Sequence, residues 1–159
     1  MAGPRRSTQE RRQQRGRNAA FSLFITSGLL GRLLEEELDS SGLTPNDLGM
    51  LSAIGMPGGI TPSALAEQLG VRQSTLTTRI QALVDRRLVR RVSHPVDGRS
   101  YQLELTAAGT RAWEDAAAAL RASLSRIERA LAVPIDDVEE ALVELERALR
   151  ATLEDGTAS

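Results

Sequence analysis

Gln73, Ser74, Thr75, Thr78 and Arg79 fall within seven consecutive residues. Hydroxyls, an amide and a guanidinium gathered in so short a stretch suit hydrogen bonding to a nucleic-acid duplex. On a helix they share the outer side, while Leu76, Ile80, Leu83 and Arg87 or Leu88 recur at three- and four-residue spacing and turn inward. Short hydroxyls at a helix N-terminus fit phosphate oxygens and a close approach to the groove, and Arg79 can reach guanine O6 and N7 bidentately. A plainer explanation is that Ser74 or Thr75 caps the helix and Arg79 is solvated. Capping, however, needs one such residue rather than four.

The elements on either side would place that helix in a major groove. A short helix ends at Leu69-Gly70, where glycine can take the left-handed conformation, and the small Ala66 lets two helices cross closely. The result is a helix-turn-helix. Beyond it, Val89 to Ser93 and Tyr101 to Leu105 alternate as two strands of a hairpin, joined by His94-Pro95-Val96-Asp97-Gly98-Arg99-Ser100. Pro95 and Asp97-Gly98 supply turn chemistry. Arg99 at the hairpin tip can enter a minor groove, with Asp97 orienting its guanidinium through a charge-assisted hydrogen bond. Fold class follows: mainly α with a small β-wing, a winged helix-turn-helix reader carried on a helical scaffold.

Leu65-Ala66, Leu69, the run Gln73 to Thr78, Leu83, Leu88-Val89-Arg90-Arg91, Pro95, Asp97-Gly98-Arg99 and Leu105-Thr106 followed by Gly109 resemble the MarR (multiple antibiotic resistance regulator) family of transcription factors. The resemblance spans about residues 18 to 154. It implies a homodimer that binds pseudo-palindromic double-stranded operators, usually as a repressor released by a small, often aromatic ligand. By position, Arg72, Gln73, Ser74, Thr75, Thr78 and Arg79 would face the major groove and Arg99 the minor groove. One departure is Arg87, where the family commonly carries glycine after the recognition helix. A left-handed arginine there costs energy.

Charge segregation supports a duplex partner although the net charge is −1. Between residues 72 and 99, Arg72, Arg79, Arg86, Arg87, Arg90, Arg91 and Arg99 oppose Asp85 and Asp97, a balance of plus five. From Thr106 to the end, eleven acids face six arginines. A basic reader on an acidic scaffold directs the duplex to one face.

Residues 1–17 hold six arginines, one acid and almost no apolar side chains, which predicts a disordered basic tail that can add phosphate contacts. A first helix over 18–38, within a dimerisation segment 18–43, carries Phe21, Phe24, Ile25, Leu29, Leu33 and Leu34. The reader spans 44–105, opened by Thr44-Pro45-Asn46-Asp47, with Thr61-Pro62-Ser63 repeating the device after the break at Met56-Pro57-Gly58-Gly59. Residues 106–154 read as C-terminal dimerisation helices, interrupted at Val133-Pro134, and 155–159 as a tail. Trp113, Ala116 or Ala117, Leu120, Leu124, Ile127 and Leu131 form one stripe; Ile135, Val138, Leu142, Leu145 and Leu149 form another. A monomeric helical pack would use these stripes too, but a paired reader matches operator symmetry.

The resemblance also implies an effector pocket, for which Phe21, Phe24, Met50, Met56 and Trp113 are the candidates. Core packing is the alternative for all of them. No cofactor or metal is expected: cysteine is absent and His94 is the single histidine. Nor is there a Gly-rich phosphate loop or a nucleophile with a matching base, so an enzyme is not expected. No apolar run spans a bilayer and none follows the basic start as in a signal peptide, which predicts a cytoplasmic protein. The competing role is a sequence-tolerant nucleoid-associated protein, or a regulator acting mainly through protein contacts.

Overall fold

A computed structural model describes residues 8–93 and 100–157, with side chains from Asn18 to Asp155 outside the 94–99 connection. Helix α1 (Thr8–Leu38) leads through a 3-10 turn (Asp39–Ser41) to α2 (Pro45–Ile54), α3 (Pro62–Gln68) and α4 (Gln73–Asp85). Strands β1 (Val89–Ser93) and β2 (Tyr101–Leu105) follow, then α5 (Ala107–Ala130) and α6 (Ile135–Thr157). The chain forms two compact units, 1–120 and 121–159.

Local chemistry explains the helix starts. At α2 the Thr44 hydroxyl accepts from the Asp47 amide at 3.1 Å while the Asp47 carboxylate accepts from the Thr44 amide at 3.0 Å, a reciprocal cap with Pro45 in the first turn. Thr61 caps α3 in one direction only, its hydroxyl accepting from Ala64 N, again with a proline in the first turn. Gly70 then reverses the chain at φ 63°, as its place after Leu69 predicts.

Leu65, Leu76, Ile80, Leu83, Val89 and Leu103 meet Leu38, Leu43, Met50, Leu51 and Ile54 in one core within the first unit. β1 and β2 pair antiparallel, with Val89 opposite Leu105 and Ser93 opposite Tyr101. Ile60 adds a single bridge to Leu103, whose amide donates to the Ile60 carbonyl at 2.8 Å. The loop before α3 is thereby tied to the hairpin.

One expectation needs correction. Residues 8–17, expected to be disordered, continue α1, which begins ten residues ahead of Asn18. Gln, Glu and Arg are good helix formers, and elongating an existing helix avoids the cost of nucleation. Of the two alanines left open on the α5 stripe, Ala116 is buried, as is Leu120, and Ala117 is only partly so. In the second unit, Leu142, Leu145, Leu149 and Leu153 of α6 are exposed. Arg147 hydrogen-bonds Glu144 and holds its carboxyl below the ordinary range. Among the described residues no helix is long and apolar enough to cross a membrane.

The junction between α4, the hairpin and α5 is tight. Arg87 adopts the left-handed conformation at φ 59°, the one positive-φ residue other than glycine among those described. Its carbonyl accepts from the Thr106 hydroxyl at 2.7 Å, and the same oxygen of Thr106 accepts from the Gly109 amide at 3.0 Å. A Cβ at Gly109 would overlap the Leu88 carbonyl. Gly109→Ala is therefore expected to destabilise the protein by about 1–3 kcal/mol through forced displacement of that carbonyl. Arg87→Gly should stabilise it by about 1 kcal/mol by removing the left-handed penalty. Urea unfolding at one fixed protein concentration checks both; a Gly109→Ala variant as stable as the parent would contradict the packing described.

Candidate nucleic-acid interface

Leu76, Ile80 and Leu83 fill one side of α4 and are buried, which leaves the opposite side to solvent. At about 100° per residue, Ser74 and Thr78 stand opposite that buried stripe, with Thr75 and Arg79 on one shoulder. Gln73, Ser74, Thr75 and Thr78 are exposed and Arg79 half-buried. Arg72 precedes them in extended conformation, and its carbonyl accepts from the Thr75 and Leu76 amides. No side chain caps α4. Ser74 and Thr75 are thus not the helix's capping residues, and the plainer explanation of their clustering falls away. Thr77, which the outer set omits, turns its hydroxyl back to the Gln73 carbonyl at 3.0 Å.

The arginines divide by partner. Arg86 donates to the Asp47 carboxylate at 2.9 Å and to the Gly42 carbonyl at 2.8 Å, joining the C-terminal end of α4 to the start of α2. Arg90 makes a two-nitrogen contact with Glu104 across the hairpin, at 3.1 and 2.7 Å. Arg91 donates to Gln81 at 2.8 Å and lies 5.3 Å from the Tyr101 ring centroid, a cation–π arrangement. Arg79 donates to a neutral acceptor, Asn46 Oδ1, at 3.0 Å. Asp47 and Glu104 lie outside the 72–99 stretch, so folding brings two carboxylates against its balance of plus five. Arg72, Arg79 and Arg91 keep their charge without a carboxylate partner in these contacts.

Asp97 and Arg99, the candidate minor-groove pair, lie outside the described residues, as does His94. The strands that carry them end at the pair Ser93–Tyr101. Of the candidate ligand residues, Trp113 lines an open cavity of about 450 Å³ with Ser52, Met56, Gly58, Glu104 and Thr110. Its indole Nε1 donates to the Ser52 hydroxyl at 2.9 Å. Met50 is buried in the core, Phe24 lies in a shallow surface groove with Leu29 and Arg32, and Phe21 is exposed. The four therefore do not meet in one cavity: Met50 is fixed by packing, and neither phenylalanine lines the cavity beside Trp113.

Sequence reasoning missed Asn46, Gly42 and Glu104 as the partners that set where the arginines point. Their separations along the chain, 33 residues for Asn46 to Arg79 and 44 for Gly42 to Arg86, carry no local pattern. Glu104 opposite Arg90 was implicit in the strand pairing, because the hairpin register puts them side by side.

The sequence profile of the MarR family matches residues 41–100. A helix-turn-helix transcriptional regulator of Mycobacterium bovis is 34% identical over 132 residues, covering 79% of this chain and 92% of its own. The structure of the transcriptional regulator MosR of Mycobacterium tuberculosis in complex with DNA is similar at a TM-score of 0.72 and 27% identity, over 84% of this chain and 97% of that one. A mutant of MarR from Escherichia coli, complexed with operator DNA, gives a TM-score of 0.70 and 25% identity over 82% and 92%. These relatives are regulators rather than enzymes, and the reader they share with this chain is the helix-turn-helix and hairpin built above. The chain belongs to the MarR family and is a DNA-binding, winged-helix transcriptional regulator.

Proposed function

We propose that the protein works in the cytoplasm as a homodimeric repressor that reads a pseudo-palindromic operator through α4 and is released by a small aromatic effector. The observation that carries this reading is the exposed set Arg72, Gln73, Ser74, Thr75 and Thr78, with Arg79 beside it, on a helix whose other side is locked into the core. A dimer sets two such helices about one helical turn apart, in successive major grooves. Arg99 from each wing then enters the flanking minor groove. Exposed Phe21, Phe24, Ile25 and Leu29 on α1, and Leu142, Leu145, Leu149 and Leu153 on α6, support pairing of two chains, since apolar surface of this extent on a monomer is unfavourable. A dimer seated over a promoter represses by occupancy.

The cavity beside Trp113 is the favoured effector site. It is lined by one indole, the Met56 thioether, the Ser52 and Thr110 hydroxyls and the Glu104 carboxylate, which Arg90 neutralises. Such a lining suits a flat, uncharged aromatic bearing a hydroxyl. It also lies against the end of β2 and the start of α5, where an occupant bears on the junction that orients the reader.

Binding to DNA from upstream of its own gene, compared with a scrambled duplex of equal length, tests the proposal. A preference of about a thousandfold or more with two subunits per site is expected; equal affinity there and on duplexes selected from random DNA would mark a nonspecific binder. Arg72→Ala should lower the slope of log affinity against log salt by about one per protomer, whereas Arg90→Ala, already balanced by Glu104, should leave it nearly unchanged. Equal slope changes in the two variants would contradict the partition of charge described above. Trp113 is the only tryptophan, so its emission reports directly on the cavity. 2-Naphthol is expected to alter that emission and weaken operator binding together; saturation without any spectral or melting shift would remove the effector from the proposal.

A further inference from the structure

Arg79 on α4 and Arg86, the residue that ends it, are seven residues apart, two turns and nearly the same face, and their guanidiniums land on the adjacent residues Asn46 and Asp47 of α2. The two contacts differ in chemistry. Arg86 meets a carboxylate and also the Gly42 carbonyl, a charge-neutralising clamp that holds the first turn of α2 against α4. Arg79 meets the neutral amide oxygen of Asn46 at 3.0 Å. Guanidinium has no acceptor, so the amide must present Oδ1 to it.

We infer that Asn46 is a specificity-determining positioning residue, which orients Arg79 for base readout without neutralising it. The inference rests on Arg79 being the base reader. Arginine has five N–H donors, and Asn46 engages one, leaving enough for a bidentate contact to guanine O6 and N7. Free in solution, the side chain would lose considerable rotamer freedom on entering the groove. Tied to Asn46, part of that freedom is already lost before DNA arrives. The tether is itself rigid, because Asn46 sits between the reciprocal cap residues Thr44 and Asp47. An aspartate at 46 would orient Arg79 as well, but would cancel its charge and repel phosphate. Asn46 is exposed and is not the capping residue of α2, which is Thr44, so the fold does not explain its type.

The test is a double-variant cycle on the operator and on duplexes carrying each single base-pair change, read as the affinity ratio at each position. Arg79→Ala should lose discrimination at one base pair per half-site by about 5- to 150-fold. Asn46→Ala should lower discrimination at that same base pair by about 3- to 10-fold, a fraction of the Arg79 effect. The double variant should match Arg79→Ala alone. Asn46→Asp, which keeps the acceptor, should keep the discrimination while weakening binding to every duplex alike. Thermal melting of each variant separates these effects from loss of fold, because instability scales all duplexes together and leaves the ratio unmoved. Arg79→Ala with no base-specific loss would overturn the reading of Arg79 and the inference with it. Loss for Arg79→Ala combined with an unchanged ratio for Asn46→Ala, or with losses that multiply in the double variant, would overturn the role of Asn46 alone and leave Arg79 as the reader.

Discussion

The hydroxyl of Thr106 holds together the place where four elements meet. It donates to the carbonyl of Arg87 just past α4, accepts from the amide of Gly109 in the first turn of α5, and its own backbone amide donates to Leu88 at the entry to β1. Each group is one that a helix or strand end would otherwise leave without a partner. The geometry requires a sharp reversal after α4, which the left-handed Arg87 supplies, and an unobstructed carbonyl at Leu88, which the missing side chain of Gly109 allows. This junction sets where the chain leaves α4 and enters β1, and the Arg91–Gln81 contact and the shared core hold the hairpin against α4 from there. The cavity beside Trp113 adjoins it through Leu105 and Thr110, so the site favoured for an effector and the joint that orients the reader share residues of one short segment.

Charge on this surface is decided by partners more than by count. Seven arginines in the reader suggest a uniformly basic face, yet Arg86 and Arg90 are matched by carboxylates that folding delivers from α2 and β2. Those two act as struts between elements. Exposed ion pairs of this kind contribute little stability individually, but two-nitrogen geometry fixes direction. The arginines left with neutral partners or aromatic faces are the ones that still carry field into solution, and Arg79 is placed among them by an amide rather than an acid.

Much of this architecture was legible because its causes are local. Thr44 with Asp47, Thr61 with Pro62, and Gly70 after Leu69 announce helix ends by chemistry acting within a few residues, and the stripe of Leu76, Ile80 and Leu83 announces which side of α4 is buried. The bridge from Ile60 to Leu103 could not be read, since one paired residue has no period. Nor could Asn46: its meeting with Arg79 depends on how α2 crosses α4, a tertiary fact. The start of α1 was misread for a different reason. A run rich in Arg, Gln and Glu has the composition of a disordered tail and equally that of a good solvent-exposed helix, and only attachment to an apolar helix downstream separates the two.

Phe21 and Phe24 bear most directly on how the reader is deployed. The chain has only two phenylalanines, and both lie on α1 with 67% and 74% of their surface in water. A protein so poor in aromatic residues gains no core from them, although burying either would contribute about 1.5–3 kcal/mol. In the proposed dimer that surface is one the second chain covers. A second copy brings its own α4, so the contact that shelters α1 would also create the two-fold arrangement that a pseudo-palindromic site demands. In the proposed dimer, assembly and sequence recognition are thus two consequences of the same exposed side chains.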